Sequence, residues 1–94
     1  MKLEDMQVRR SRMETMFDIL TTIAAGTEKP THIMYKANLS WKVMQHYMKQ
    51  LESQGVIAPA DEQGRRVYHL TEKGFKLLEQ FNSVREGLLL QNVN

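Results

Sequence analysis

One stretch of this sequence constrains the fold more than any other. From Leu39 to Val56 the chain spells out a complete helix with its start, inner face and stop. Ser40 is a good N-cap for a helix beginning at Trp41, because its hydroxyl can accept from a free backbone N–H of the first turn. Leu39 before the cap and Met44 at the fourth helical position form a hydrophobic staple. Met44, Tyr47, Met48 and Leu51 recur at helical spacing and make one inner stripe. Gly55 ends the helix at about Gln54, and Val56 can pack back on Leu51, the contact expected of a Schellman ending. Such a helix has a second face. Trp41, Lys42, Gln45, His46 and Lys49 fall at i, i+1, i+4, i+5 and i+8, so they form one continuous outward surface without an acid.

The flanking elements follow from the same signals. Met13, Met16, Phe17, Leu20, Ile23 and Ala24 predict a first helix over Arg9–Ala25, with Gly26 as its terminal cap. After the break at Thr27–Pro30, a short helix over about Thr31–Ala37 turns Ile33, Met34 and Ala37 inward. Asn38-Leu39-Ser40 is the turn into the third helix. Val56-Ile57-Ala58 reads as a short strand, Pro59–Gly64 as a turn, and Arg65–Leu70 as the returning strand of a hairpin. Thr71 caps a last helix reaching about Leu90, with Leu70 and Phe75 as its staple. Gly74 lies inside that helix and points to a close backbone approach. The fold class expected is mainly α with a small β-hairpin: helix, helix, helix, strand, strand, helix. That order is the winged helix-turn-helix arrangement.

At 94 residues this is one domain. We read residues 1–70 as the winged-helix domain with a basic N-terminal segment, and residues 71–94 as a C-terminal dimerisation helix packed on it. Without cysteine, disulfides, thiol catalysis and cysteine-ligated metals are excluded. The longest aliphatic run is Leu88-Leu89-Leu90, too short to span a bilayer. The first residues carry acids where a signal peptide is apolar. We therefore expect a soluble, cytoplasmic protein with no membrane partner. No His-Glu-x-x-His, Gly-rich phosphate loop or Gly-x-Ser-x-Gly is present, and His32, His46 and His69 lack paired ligand spacing. We expect no enzyme, no cofactor and no metal; the sequence identifies no small-molecule effector.

The net charge of +2 hides an uneven layout. Residues 29–51 hold Lys29, Lys36, Lys42 and Lys49 with no Asp or Glu, although the chain has 11 acids. Such a segment suits a surface that faces a polyanion. We expect double-stranded DNA to meet Thr31, Lys36, Ser40, Trp41, Lys42, Gln45, His46 and Lys49, with Gln45 able to pair with the N6/N7 edge of adenine. Arg65 and Arg66 at the hairpin tip suit the DNA backbone or the minor groove. Arg9, Arg10 and Arg12 open the first helix, where acids are normally favoured, so they need another reason. Transcription regulation is the first reading and sequence-nonspecific chromatin organisation the second. A protein-interaction scaffold is the rival from another class. In the last helix Leu77, Phe81, Val84 and Leu88 are spaced 4, 3, 4, a heptad seam that, with Leu89, predicts a two-fold homodimer. Phe75 and Leu78 lie off the seam and are expected to face the domain's own core.

Ile33-Met34-Tyr35-Lys36-Ala37-Asn38-Leu39-Ser40-Trp41, then Tyr47-x-x-x-Leu51 and Gly55-Val56-Ile57, resembles a family of small archaeal winged-helix DNA-binding proteins of the Sulfolobus ten-kilodalton chromosomal type. Tyr68-x-Leu70-Thr71-x-x-Gly74 resembles the start of that family's last helix. The likeness covers roughly residues 9–81. It implies a dimer joined through antiparallel C-terminal helices and binding to duplex DNA, with Ser40, Trp41 and Lys42 at the start of the recognition helix. Against that type, the last helix here reads as shorter and the wing turn as longer.

Overall fold

The computed structural model describes residues 10–93, with side chains up to Leu88. Its elements are α1 (Arg12–Ala24), α2 (Pro30–Lys36), α3 (Trp41–Ser53), β1 (Ile57–Glu62), β2 (Arg65–Leu70) and α4 (Glu72–Val93). The order is the one expected, and the fold is a winged helix-turn-helix. Arg9 of the expected first helix, and the side chain of Leu89 of the expected seam, lie outside the described part.

The first helix starts later than its apolar pattern suggests. Ser11 caps it: the Ser11 hydroxyl accepts from the Glu14 N–H and the Glu14 carboxylate accepts from the Ser11 N–H, a complete capping box. Thr15, Ile19, Leu20 and Ile23 are buried, while Met13 and Ala24 are exposed. The inner stripe is thus rotated from the expected one, because α1 also turns toward the hairpin and α4. Arg10 precedes the cap. Its guanidinium pairs with Asp18 and donates to the Ala37 carbonyl at 2.7 Å. That gives Arg10 a structural reason: it satisfies a carbonyl at the end of α2, where the helix-turn-helix turn begins.

The core gathers Ile33 of α2 and Ala37 at its C-cap, and Met44, Met48 and Leu51 of α3, under α1 and the hairpin. Asn38 takes φ 58° in the turn between α2 and α3, a left-handed conformation that asparagine tolerates better than most residues. Ser40 then caps α3 through the Val43 N–H at 3.3 Å. At the other end Gly55, at φ 75°, donates to the Glu52 carbonyl and Val56 to the Leu51 carbonyl, the paired bonds of a Schellman motif. The start of α4 reinforces this end. Thr71 donates to the carbonyls of Gly55 and Val56, and Lys73 to that of Gln54. A Cβ on Gly74 would collide with the Val56 carbonyl, which is the close approach that glycine permits.

The hairpin corrects the expected turn. Pro59 to Glu62 belong to β1, and the turn is Gln63-Gly64 alone, with φ 53° and 77°. Two positive φ values in a two-residue loop match the right-handed twist of the strands. Register runs from Ile57 opposite Leu70 to Glu62 opposite Arg65. Pro59 tolerates a strand here because a two-stranded sheet has only edge strands. The wing is therefore long in its strands and short in its turn.

The last helix runs to Val93, further than expected. Leu78 is buried, Leu77 packs on the core, and Phe81 stacks on Phe17 of α1 with ring centroids 3.8 Å apart. Two residues of the expected seam are therefore engaged within the domain. Val84 and Leu88, on the same stripe, are 64% and 57% exposed. Phe75 does not face the core and is 54% exposed; Gly74 and Leu78 occupy the side of α4 nearest the body.

Candidate nucleic-acid interface

The outward face of α3 is open. Trp41, Lys42, Gln45, His46 and Lys49 are all exposed, while Met44, Met48 and Leu51 hold the opposite side in the core. Among the described residues, neither lysine of this face makes an ion pair. The His46 ring meets Tyr47 edge-on at 5.6 Å, which orients it across the helix surface. Ser40 spends an oxygen lone pair on the Val43 N–H, and its hydroxyl hydrogen is left to donate.

A groove of about 310 Å³ runs between α3 and the hairpin. Trp41, Gln45 and Lys49 line it from α3, and Arg66 and Tyr68 from β2. Residues from two separate elements thus converge on one concavity. Lys42 and His46 lie further round the same helix, outside the groove lining. Thr31 and Lys36 are exposed at the two ends of α2 and also lie outside it. Of the lining, the sequence reading assigned Met44 and Met48 to the core and did not place Pro30, Tyr68 or Glu52 at the site. Glu52 closes the far end of the groove, one helical turn beyond Met48, and puts an acid at the edge of an otherwise basic and amide-bearing surface. Its position just past the acid-free segment was the available signal.

Arg65 and Arg66 do not act as one pair. Successive strand residues point to opposite faces. Arg66 enters the groove beside α3, whereas Arg65 lies on the other face with Lys29, Glu62, Gln63 and Val67. On that second face His69 contacts Glu28 at 2.7 Å and Glu62 at 2.9 Å. The hydrogen bond that His69 donates to Glu62 is the largest cause raising His69 above the usual imidazole range; desolvation opposes it, and the charge of Glu28 adds a lesser upward effect. No local spacing could have announced this cluster, since its members come from a loop and two strands.

Comparison with known proteins agrees with this geometry. A family described as winged helix-turn-helix matches residues 9–88. An uncharacterised protein of Methanocaldococcus jannaschii, MJ0287, is 37% identical over 76 residues, covering 81% of this chain and 74% of its own. The crystal structure of Sso10a-2, a DNA-binding protein from Sulfolobus solfataricus, is 33% identical, covers 88% of this chain and 90% of its own, and superposes with a TM-score of 0.65. These meet the resemblance to the small archaeal type. MepR, a transcription regulator of the Staphylococcus aureus multidrug efflux pump MepA, superposes with a TM-score of 0.79 over 96% of this chain and 67% of its own; at 19% identity it shows the fold alone.

Proposed function

The chain belongs to the winged helix-turn-helix family, and on that premise we propose that it binds double-stranded DNA as a transcriptional regulator, with α3 in the major groove and the hairpin on the adjacent backbone or minor groove. One observation carries the reading. Trp41, Gln45 and Lys49 of α3 and Arg66 of the wing share one open groove. Cations there neutralise phosphate. Gln45 suits an adenine edge, and Trp41 adds an apolar face with one donor. Lys42 and His46 extend the surface, Ser40 offers a hydroxyl, and Thr31 and Lys36 reach flanking phosphates. Arg65 serves the backbone from the far face of the wing.

Residues 1–70 form the winged-helix domain in this reading, and residues 71–94 the helix that joins two copies. Leu77 and Phe81 anchor that helix to its own domain, so the surface for a second copy is the continuation of the stripe at Val84, Leu88 and Leu89. Covering Val84 and Leu88 removes apolar area that a monomer leaves in water. A two-fold dimer presents its recognition helices to successive major grooves about 34 Å apart. The protein then works at the nucleoid in the cytoplasm, without catalysis.

The test is Lys42→Glu combined with Lys49→Glu, read by duplex binding. Reversing both charges at about 0.15 M salt lowers affinity on the order of a hundredfold or more, with the helical circular-dichroism signal unchanged. Retained binding would place the contact on another face. Chromatin organisation is the second reading, since the likeness to a protein described as DNA-binding fits either role. Selection of sites from random duplexes separates the two roles: a regulator enriches one motif, an organiser none.

A further inference from the structure

His69 lies at the base of the wing, on the hairpin face away from the α3 groove. Its Nδ1 is 2.7 Å from a Glu28 carboxylate oxygen and its Nε2 is 2.9 Å from a Glu62 carboxylate oxygen. The partners come from different places: Glu28 from the segment between α1 and α2, Glu62 from the tip end of β1. The backbone is joined at the same point, where the Tyr68 N–H donates to the Glu28 carbonyl at 3.0 Å. A neutral imidazole has one N–H and can donate to only one of two carboxylates. Imidazolium donates to both.

Glu62 has an alternative partner. It stands directly opposite Arg65 in the hairpin register, the pair next to the turn. Yet its carboxylate reaches back to His69, and among the described residues Arg65 makes no ion pair. The charged groups of this face are Glu28 and Lys29 from the α1–α2 segment, Glu62 from β1 and Arg65 from β2. His69 therefore competes with Arg65 for one carboxylate.

We propose that His69 is a positioning residue for the wing: as imidazolium it ties Glu28 to Glu62, holds the Glu62 carboxylate off Arg65, and so leaves that guanidinium for a DNA phosphate. This rests on the DNA-binding reading above. When His69 loses its proton it can donate to only one carboxylate. Released Glu62 then pairs with Arg65, and the wing gives up a phosphate contact. The raised affinity of His69 for its proton puts this change on the alkaline side of an ordinary histidine.

The experiment measures affinity of the full chain for a random-sequence duplex from about pH 5.5 to about pH 8.5 at about 0.15 M salt. Because His46 is ionisable and lies on α3, all arms carry His46→Gln. The background protein is expected to lose about five-fold in affinity as pH rises, the worth of one phosphate contact at that salt. Adding His69→Gln gives the weak level at every pH. Adding Glu62→Gln gives the tight level at every pH, with or without His69→Gln. A merely structural loss in His69→Gln is not rescued by removing an acid. The proposal is overturned if His69→Gln keeps the background profile, if Glu62→Gln fails to restore affinity, or if EDTA abolishes the profile, since the ligand atoms of Glu28, Glu62 and His69 lie within 4.8 Å of one another and a bound cation would then be the cause. If neither the wild type nor the background protein binds duplex at any pH, the DNA-binding reading falls and this inference with it; binding without the pH response removes the inference alone.

Discussion

Helices α3 and α4 begin alike and end differently. Each opens on a hydroxyl cap, Ser40 and Thr71, and each carries an apolar stripe. In α3 the stripe is spent: Met44, Met48 and Leu51 are buried, and the outward face of Trp41, Lys42, Gln45, His46 and Lys49 is cationic, amide or aromatic, with Val43, Glu52 and Ser53 exposed beside it. In α4 the stripe is only half spent. Leu77 and Phe81 cover the core and Phe17, and then the helix continues past the body with Val84 and Leu88 uncovered. The difference separates two kinds of free surface on one small chain. A polar, cationic face that is complete in the monomer suits a polyanion. An apolar stripe continuing beyond its own domain suits another protein surface, and a second copy offers the matching one.

The contrast breaks most visibly if the buried side of α3 is removed. Leu51→Ala leaves a cavity under three elements and is expected to cost about 2–5 kcal/mol of stability, read by urea denaturation. The same truncation at Leu88 should cost little in folding, because the monomer leaves it in water. Charging the free half of α4 with Val84→Glu and Leu88→Glu is expected to turn a dimer into a monomer by sedimentation equilibrium, with the circular-dichroism spectrum kept. A protein that is monomeric before the change would show that this stripe does not join copies.

A smaller effect sharpens the start of α3. Ser40→Ala removes the acceptor for the Val43 N–H and should lower stability by about 1 kcal/mol. It should also weaken duplex binding, since the first turn carries Trp41 and Lys42. The smallest effect concerns the wing. His69 has its pKa raised on folding, so its contribution to stability is fully present below the unfolded value and is lost as pH rises through the folded one. Thermal midpoints of the wild type and His69→Gln should therefore converge at alkaline pH and separate at acidic pH.

These regions also differ in how far residues alone could reveal them. Every determinant of α3 is local: cap, staple, stripe and Schellman glycine lie within eighteen residues, and the structure places the cap, the buried stripe and the Schellman ending as read. The hairpin misleads because Pro59, Asp61 and Gly64 have turn chemistry, whereas only Gln63 and Gly64 turn; the register of Ala60 on Val67 and Asp61 on Arg66 extends the strand past a proline. In α4 the period is visible but not the neighbour. Nothing in the spacing tells that Phe81 finds Phe17 while Phe75 stays outside. Arg10 on Asp18 and the Ala37 carbonyl, and His69 between Glu28 and Glu62, join residues that are distant in sequence or lie on different elements, so no periodicity marks them. The candidate surface on α3 was thus legible, as was an acid just past it at Glu52; that the groove ends on Glu52 and takes Arg66 without Arg65 depends on how the hairpin packs beside the helix.

The central claim is that the exposed side of α3 and the wing touch phosphate. Binding of the wild-type chain to a random-sequence duplex, followed from about 50 to about 200 mM salt, tests it most directly. Lys36, Lys42, Lys49, Arg65 and Arg66 predict a fall of about five-hundredfold over that range for one engaged chain, and on the order of 10⁵ when both chains of a dimer are engaged. An affinity that stays level with salt, or no binding at the lowest salt, would contradict the claim and leave this winged helix as a protein-interaction scaffold.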